Sequence, residues 1–311
     1  MKRACVLALA VAFLGTAQGA EKKDDNHRFG FIGHSLSRGG EKQLRQALKD
    51  SSEPSLSFVV IAGIKGDKEG CTDRLYEERR DLVNEAKRPI MVALAGSDWT
   101  ECKNNAGKSS AIERLNRMRE LYFGEPTSLG EKKLPVTRQS TSPRFRSYAE
   151  NSHWNIGKVL YATLNLPANN NHFRPEAGRN NEFEDRLVAN RFWLNRLFSL
   201  ARTEQCEAIV LFSEGDAKAT LEQSSLRALR RDATARDGFV ETRRQIVTLA
   251  QKYKGRVLLV DSAPHAKATP AIEWRGNLGH ISIDNGAIEV AVRPGAKQLF
   301  TLQNAAEQAV E

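Results

Sequence analysis

The sequence predicts an α/β layer fold, in which β-sheets are covered by α-helices. Apolar runs of strand length alternate with helix-period segments through most of the chain, and this alternation is typical of α/β proteins. Residues 56–62 show the strand pattern, because they are mostly apolar and rich in β-branched side chains. Residues 112–123 show the helix pattern, with apolar side chains on one face at Ile112, Leu115, Met118 and Tyr122.

Three strands and three helices are predicted in the first half of the chain. Each strand is a short apolar run, and the helices carry their apolar residues on one side. Pro89 stops the second helix, because proline lacks the amide hydrogen that a helix interior requires. The predicted strands are residues 29–32, 56–62 and 90–94, and the predicted helices are residues 41–48, 75–86 and 112–123.

The second half repeats the alternation after a less regular stretch at residues 137–152. Its predicted strands are residues 158–164, 208–212 and 257–260, and its predicted helices are residues 183–201 and 239–253. A charged helical insertion is expected at residues 221–236, within the segment 216–237. Because no internal repeat or clear linker interrupts the pattern, residues 21–311 are predicted to form one domain.

A β-hairpin is predicted near the C-terminus. Ile281-Ser282-Ile283 and residues 288–292 are short apolar segments that flank the turn Asp284-Asn285-Gly286. The Asn-Gly pair tolerates the positive φ angles of a type I′ turn, which is the usual connection between paired antiparallel strands.

The N-terminus has the order of a secretory signal. Met1-Lys2-Arg3 precedes an apolar run over residues 4–14, and small residues follow at Ala17 and Gly19. We therefore expect residues 1–20 to be a signal peptide and the protein to be periplasmic or secreted, with an uncleaved N-terminal anchor as the alternative. No later segment is apolar over the roughly 18 residues that a membrane span requires.

The chain is basic, with a formal net charge of +9. A positive charge can attract nucleic acid or phosphorylated molecules. However, the basic residues are mixed with acidic ones, as in the segment 73–80, and no aromatic-interleaved basic stripe occurs. This pattern is typical of solvated helix faces and argues against a nucleic-acid partner.

Three cysteines follow the predicted signal peptide: Cys71, Cys102 and Cys206. An exported protein meets an oxidising compartment, so an odd number suggests one disulfide and one free thiol. We predict a disulfide between Cys71 and Cys102, because both lie in loops just after strands that would be neighbours. Cys206 begins an apolar run and is predicted to be a buried, free thiol.

Polar residues follow the predicted strands in the loops where an open α/β sheet collects its ligands. Each of these residues alone is more typical of a turn than of a site, so the set has meaning only through its order along the chain. The loops are Gly33-His34-Ser35, Gly63-Ile64-Lys65-Gly66-Asp67, the run from Gly96 to Cys102, residues 165–171, Ser213-Glu214-Gly215-Asp216 and Asp261-Ser262-Ala263-Pro264-His265.

Several strand and loop segments carry a resemblance to a known family. They are Phe29-Gly30-Phe31-Ile32-Gly33, Phe58-Val59-Val60, Ile64-Lys65, Trp99-Thr100-Glu101-Cys102 and the run from Ala162 to Pro167. In this order they resemble the calcineurin-like metallophosphoesterase superfamily, and more closely its exported bacterial members, from about residue 28 to the C-terminal strands. The resemblance implies a four-layer sandwich of two mixed β-sheets flanked by helices, and metal-dependent hydrolysis of phosphoesters.

The chain departs from that family where the metal ligands would be. The family has Asp where this chain has His34, and the metal-bridging Asp expected directly behind Gly63 is missing, since Ile64 follows. The late motif His-Gly-Asp-Ser-His keeps only its last histidine in register. The residues left as candidate metal ligands are His34, Asp67, Asp98, Asp261 and His265.

Loss of the bridging carboxylate predicts that dinuclear phosphoester hydrolysis is weak or lost. Two divalent cations about 3.5–4 Å apart activate water and stabilise the displacement, but they repel each other strongly and need a shared ligand. A single zinc or manganese ion remains an alternative, because imidazole and carboxylate groups suit such ions.

Two functions stay open: a phosphoesterase of reduced or altered activity, and a non-catalytic binding or scaffold protein. In both, a phosphorylated or polar small molecule is the expected ligand. A serine hydrolase and a P-loop protein are disfavoured, because neither Gly-x-Ser-x-Gly nor Gly-x-x-x-x-Gly-Lys-Ser/Thr occurs. The oligomeric state stays open. The candidate ligand contacts are Trp99, Asn165, Asn169 and Asn170.

Overall fold

Two mixed β-sheets pack face to face, and α-helices cover their outer faces. The structure is a computed structural model that describes residues 25–174, 178, 180–221, 237–263 and 269–303. One sheet has five strands in the order β12-β11-β1-β2-β3, and the other has seven in the order β4-β5-β6-β7-β8-β10-β9. The α/β class that the sequence predicts is therefore confirmed.

The five-stranded sheet is built from the first three strands of the chain and two of its last. Strands β1, β2 and β3 are parallel, whereas β11 runs antiparallel to both β1 and β12. These strands are β1 (His27–Ile32), β2 (Leu56–Ala62), β3 (Ile90–Ala93), β11 (Ala287–Val292) and β12 (Phe300–Gln303).

The seven-stranded sheet is built from the middle of the chain. Its central strands β6, β7, β8 and β10 are parallel, and antiparallel strands close both edges. The strands are β4 (Thr137–Arg138), β5 (Ser152–Ile156), β6 (Val159–Thr163), β7 (Ala208–Phe212), β8 (Arg256–Asp261), β9 (Glu273–Arg275) and β10 (Leu278–Ser282).

The helices of the first half pack on the five-stranded sheet, and the later two pack on the seven-stranded sheet. Thr72 caps one of them, since its hydroxyl accepts a hydrogen bond from Leu75 N. The helices are α1 (His34–Arg38), α2 (Glu41–Asp50), α3 (Asp73–Asn84), α4 (Gly96–Trp99), α5 (Ala111–Phe123), α6 (Asn181–Thr203) and α7 (Val240–Gln251).

The alternation of side chains along each strand separates three apolar layers. In β1, Phe29 and Phe31 point between the sheets, whereas Ile32 points toward the helices. The layer between the sheets is rich in aromatic rings, and Phe58 packs edge-to-face on Tyr161 with ring centroids 4.8 Å apart. This contact joins the two sheets directly, because Phe58 lies in β2 and Tyr161 in β6.

The predicted C-terminal hairpin is wrong. Strand β10 pairs with β8 and β9 in the seven-stranded sheet, whereas β11 pairs with β1 and β12 in the five-stranded sheet. Gly286 does adopt a positive φ of 96°, but its carbonyl accepts a hydrogen bond from Gly33 N and does not close a hairpin. The turn therefore carries the chain from one sheet to the other.

The predicted helical stripe over residues 112–123 is wrong at its first residue. Helix α5 buries Leu115, Met118 and Tyr122, but Ile112 is 59% exposed. The buried position in that first turn is taken by Ala111. The predicted insertion at residues 221–236 lies outside the described residues, apart from Leu221.

The predicted disulfide between Cys71 and Cys102 is confirmed, with the two Cα atoms 5.8 Å apart. It links the segment before α3 to the loop after α4. Cys206 is free and buried. Within the described ranges, no helix combines the length and the apolar character that crossing a membrane would need.

Candidate functional site

The loops after the parallel strands form a buried polar network at the carboxyl ends of those strands. We call this end of the two sheets the sheet edge, and the polar network the edge network. His34 directly follows β1 and Gly33, Ser97 lies in the short helix after β3, and Glu214 lies in the loop after β7. His34, Ser97 and Glu214 are each 9% exposed or less. The network therefore links both sheets at the edge where the sequence predicts a ligand site.

His34 and Glu214 form an ion pair across the two sheets, with Nδ1 3.2 Å from Oε1. The other carboxylate oxygen of Glu214 accepts hydrogen bonds from Gly96 N at 2.6 Å and Ala168 N at 2.8 Å. Burial alone would lower the pKa of His34, but the hydrogen bond and charge of Glu214, aided by Asp98, raise it to about 9. His34 is therefore a cation at neutral pH.

The second nitrogen of His34 binds two oxygens on the opposite side of the ring. Nε2 lies 2.9 Å from Ser97 Oγ and 3.1 Å from the Lys65 carbonyl, and the Ser97 hydroxyl donates to the same carbonyl at 2.8 Å. Ser97, His34 and Glu214 therefore stand in the order of a serine, histidine and carboxylate triad. With both imidazole nitrogens protonated, however, His34 donates hydrogen bonds and does not accept the serine proton.

Asp98 is enclosed by backbone amides. Its Oδ1 accepts hydrogen bonds from Ile64 N at 3.0 Å and Lys65 N at 3.3 Å, and its Oδ2 accepts one from Ala95 N at 2.8 Å. Burial raises its pKa to about 6, although these amides and nearby cations favour the charged form. Asp98 thereby ties the loop after β2 to the start of α4.

Lys65 places a second cation in this network. Its side chain is 1% exposed, and its Nζ donates hydrogen bonds to the carbonyls of Gly66 and Ser97 at 2.8 and 2.7 Å. Burial lowers its pKa from the ordinary value for lysine. The ammonium is thus fixed by two carbonyl dipoles beside the loop that follows Gly63.

Gly63 lets the imidazole of His34 lie against the backbone. A Cβ atom at this position would come within 2.8 Å of His34 Cδ2 and 2.6 Å of Ala95 Cβ, and the φ angle is +70°. Ile64, which replaces the expected bridging Asp, is buried among the apolar residues beneath the helices. Both residues therefore pack the edge of the sheet and offer no metal ligand.

A second polar cluster lies on the outer, helix-covered face of the seven-stranded sheet. His280 Nε2 is 2.7 Å from Asp261 Oδ2 and 3.5 Å from Asp216 Oδ1. Burial alone would lower the pKa of His280, but the hydrogen bond and charge of Asp261 and the charge of Asp216 raise it to about 9. Among the described residues, these three form the one group whose ligand atoms could together hold a metal ion.

The predicted metal ligands do not come together as the sequence suggests. His34 and Asp98 belong to the edge network, Asp67 is exposed, and Asp261 belongs to the outer cluster. His265 lies in the segment 264–268, outside the described residues. Strand alternation explains the separation, because Asp261 points to the same face as Leu259, which packs beneath the helices.

Three carboxylate or imidazole side chains of these sites were not among the predicted ligands. Glu214 and Asp216 do lie in a loop that the sequence marks as polar, after a buried strand, so their position could have been noticed. His280 carries no such signal, because it lies inside a strand, where a single histidine is more often structural. Only the pairing of β10 with β8 brings it beside Asp261.

Two of the predicted ligand contacts are buried inside the protein. Trp99 is fully buried, with His172 4.9 Å away from ring centroid to ring centroid and the Arg186 guanidinium 5.7 Å from its ring. Asn165 is 2% exposed and donates to Glu150 Oε1 at 3.1 Å. Both therefore stabilise the loop after β6 and present no open surface to a ligand.

The other two predicted contacts retain access to solvent. Asn169 is exposed and donates hydrogen bonds to Thr100 Oγ1 at 2.7 Å and Glu101 Oε1 at 2.9 Å. Asn170 is partly exposed, with a positive φ of 54°, and accepts a hydrogen bond from Gly238 N at 2.9 Å. Beyond Glu101 lies an open cleft of 1020 Å³ whose lining includes Lys103, Lys108, Ser109 and Arg174.

No protein-family model matches this sequence, and no curated protein matches it either.

Proposed function

We propose that this protein is exported, has the calcineurin-like phosphoesterase fold and has lost efficient metal-dependent phosphoester hydrolysis. The observation that carries the proposal is the buried ion pair between His34 and Glu214 at the edge of the sheets. The two mixed sheets with outer helices support the fold assignment. The disulfide between Cys71 and Cys102 supports export, because such bonds persist in oxidising compartments.

The residues at this edge do not suit a pair of divalent cations. His34 is protonated at neutral pH, the Lys65 ammonium lies in the same network, and Asp98 already accepts three backbone hydrogen bonds. Two unit charges of like sign 4 Å apart repel by about 4 kcal/mol at an effective dielectric constant near 20. Glu214 and Asp98 offset the two cations, but their oxygens already accept hydrogen bonds from His34 and from backbone amides, and no carboxylate follows Gly63 to bridge two ions.

A hydrolysis assay tests the loss of activity. An aryl phosphate monoester and an aryl phosphate diester are incubated with the protein and manganese, zinc or nickel across pH 5 to 9. We expect no turnover above that of the metal alone. The proposal would be contradicted by metal-dependent turnover that disappears in His34→Ala and is unchanged in Asp67→Asn, provided that His34→Ala has the circular dichroism spectrum of the parent chain. That result would place a working metal centre at this edge.

The serine, histidine and glutamate geometry defines a second candidate, a metal-independent serine hydrolase. Its favouring observation is the 2.9 Å distance from Ser97 Oγ to His34 Nε2 with Glu214 on Nδ1. Activity would require a neutral imidazole, so it would rise as pH approaches 9. A fluorophosphonate probe distinguishes the two: we expect no labelling at any pH, whereas alkaline labelling of Ser97 that is lost in His34→Ala would establish the hydrolase.

We place the polar ligand of a non-catalytic protein in the cleft beside Asn169. Three cations, Lys103, Lys108 and Arg174, line this cleft together with three carboxylates, Glu101, Glu113 and Glu182, and this mixed lining suits a polar small molecule whose phosphate contacts the cations. Calorimetric titration with a sugar phosphate tests the assignment. We expect binding that weakens in Lys103→Ala and is unchanged in Lys42→Ala, an exposed lysine outside the cleft; equal binding by both variants would remove the cleft from the proposal.

A further inference from the structure

We propose that Asp216, Asp261 and His280 form a binding site for a single divalent transition-metal ion such as zinc. The three side chains come from the loop after β7, the end of β8 and the middle of β10. The site lies on the outer face of the seven-stranded sheet, apart from the ion pair at the sheet edge. The inference does not rest on the phosphoesterase proposal.

The distances fit the edges of a small coordination polyhedron. Zinc bonds to imidazole and carboxylate are about 2.0–2.1 Å long, which puts neighbouring ligands of a tetrahedron roughly 3.3 Å apart. The distances from His280 Nε2 are 2.7 Å to Asp261 Oδ2 and 3.5 Å to Asp216 Oδ1, and all three ligand atoms lie within 4.8 Å of one another. Small side-chain shifts would therefore seat an ion between them.

The charge of the cluster favours a dication. Two carboxylates face one imidazole, and Asp261 is only 2% exposed. In the metal-free cluster the imidazole of His280 is protonated, so zinc would bind by displacing that proton and taking over the neutralisation of both carboxylates. Buried carboxylates close together are costly unless a cation neutralises them. One imidazole nitrogen with two carboxylate oxygens is also a ligand set suited to zinc and manganese, and it leaves a further position for water or another ligand.

Neighbouring groups hold the carboxylates in place. The Ser282 hydroxyl donates to Asp261 Oδ1 at 2.5 Å and accepts a hydrogen bond from Ala263 N at 3.1 Å, which leaves Oδ2 directed at His280. Asp216 Oδ1 accepts a hydrogen bond from Lys218 N at 2.5 Å, which fixes the loop after β7. Such outer contacts orient the first ligands of protein metal sites.

The two clusters can be separated by mutation although they are neighbours in sequence. Glu214 lies two residues before Asp216, and Ser262 lies one residue after Asp261. Glu214 pairs with His34 Nδ1, and the Ser262 hydroxyl accepts a hydrogen bond from His34 N at 2.7 Å. Glu214 and Ser262 therefore contact His34, whereas their sequence neighbours Asp216 and Asp261 contact His280. Changing His34 should leave the outer cluster intact.

Zinc titration tests the site. The full chain, purified without a metal-binding tag and treated with a chelator, is titrated with zinc chloride by calorimetry, and bound metal is counted by elemental analysis. We expect one zinc per chain. Affinity should fall at least roughly 100-fold in Asp216→Asn and in His280→Ala, since even an outer contact contributes about 10–100-fold.

Matched variants decide the outcome. Asp67→Asn removes an exposed carboxylate and His34→Gln removes a histidine of the edge network, so both should bind zinc like the parent chain. Circular dichroism tests whether each variant folds. If His280→Ala does not fold, Asp216→Asn still tests the site, because Asp216 is a partly exposed loop residue and its replacement is the milder change. Absence of stoichiometric zinc, or zinc binding that is lost in His34→Gln and kept in Asp216→Asn, would overturn the proposal.

Discussion

The single histidine behind β1 changes what the sheet edge can do. Where the sequence predicts a candidate metal ligand, His34 supplies a positive charge, and Glu214 from the second sheet neutralises it at 3.2 Å. Hydrogen bonds also join Ser97 to His34, Asp98 to the amide of Ile64, and Lys65 to the carbonyl of Ser97. The loops at this edge are therefore held together by internal hydrogen bonds. The ion pair of His34 with Glu214 therefore makes this predicted ligand site a structural connection between the sheets.

Removing Glu214 should destabilise the fold strongly. Glu214→Gln leaves a buried cation without its counter-ion, and breaking such a pair typically costs about 3–5 kcal/mol. Denaturant unfolding measures the loss. The control is Glu85→Gln, whose exposed partner is Arg45 at 2.8 Å and whose removal should cost less than about 1 kcal/mol. Equal effects of the two variants would contradict a buried, energetically important pair.

The free energy of unfolding should fall at alkaline pH because of His34. Its pKa is raised from 6.5 to about 9, so the folded state binds a proton more tightly than the unfolded state. The stability from this group is present in full below pH 6.5 and is lost as pH rises through 9. His280 acts in the same direction. Thermal unfolding from pH 6 to 10 measures this, and the decline should be shallower in His34→Gln.

The loop after β6 shows how an element can hold an unfavourable backbone. Asn170, Asn171 and His172 all have positive φ values of 53–54°, which non-glycine residues rarely adopt in succession. Arg186 of α6 is fully buried. Its guanidinium donates hydrogen bonds to the side-chain oxygen of Asn171 and, at 2.9 Å, to the backbone carbonyl of Asn171. The helix thus fixes the loop that carries three of the predicted ligand contacts, Asn165, Asn169 and Asn170.

Replacing Arg186 should release this loop. Arg186→Met removes the hydrogen bonds of the fully buried guanidinium to Asn171 and leaves the partly buried carboxylate of Glu182 without its partner at 2.7 Å, so we expect a loss of about 3 kcal/mol in unfolding free energy. Arg191→Met, at an exposed position of the same helix, is the control and should change stability by less than about 0.5 kcal/mol. A neutral Arg186→Met would show that the loop is stable without the helix.

The disulfide should contribute measurably to the stability of the helices on the five-stranded sheet. Cys71 and Cys102 are separated by 31 residues, and closing a loop of this size stabilises by roughly 3–4 kcal/mol in the loop-entropy model. Unfolding of a Cys71→Ser, Cys102→Ser double variant should show that loss. Cys206→Ala, which removes the free buried thiol, is the control and should lower the free energy of unfolding by less. If reductant did not change the unfolding free energy of the parent chain, the prediction would be contradicted.

At the scale of the whole molecule, the sequence predicts the central strands well. The bounds of β2 and β7 agree with the prediction, because both are continuous apolar runs buried on both faces. The short helices α1 and α4 and the edge strands β9 and β12 were not predicted. They are too short for a periodic pattern, and three-dimensional packing decides them.

The sites were harder to predict than the strands, because each depends on contacts between distant residues. Glu214 meets His34 across 180 positions of the chain, and no local pattern marks that pair. Asp261 is the last residue of β8, one position beyond the end of the predicted strand, and its side chain faces the helices and meets His280. The wrong hairpin has the same origin, since a local turn signal cannot show that two strands enter different sheets.

The central claim is that the sheet edge is held by a protonated His34 and binds no metal. Nitrogen-15 NMR of the histidine side chains tests it directly, because the chain has only six histidines to assign. At pH 7 we predict that both ring nitrogens of His34 carry protons, and that one equivalent of zinc shifts the His280 signals while those of His34 stay in place. A His34 ring that is neutral, or whose signals move when zinc is added, would contradict the account.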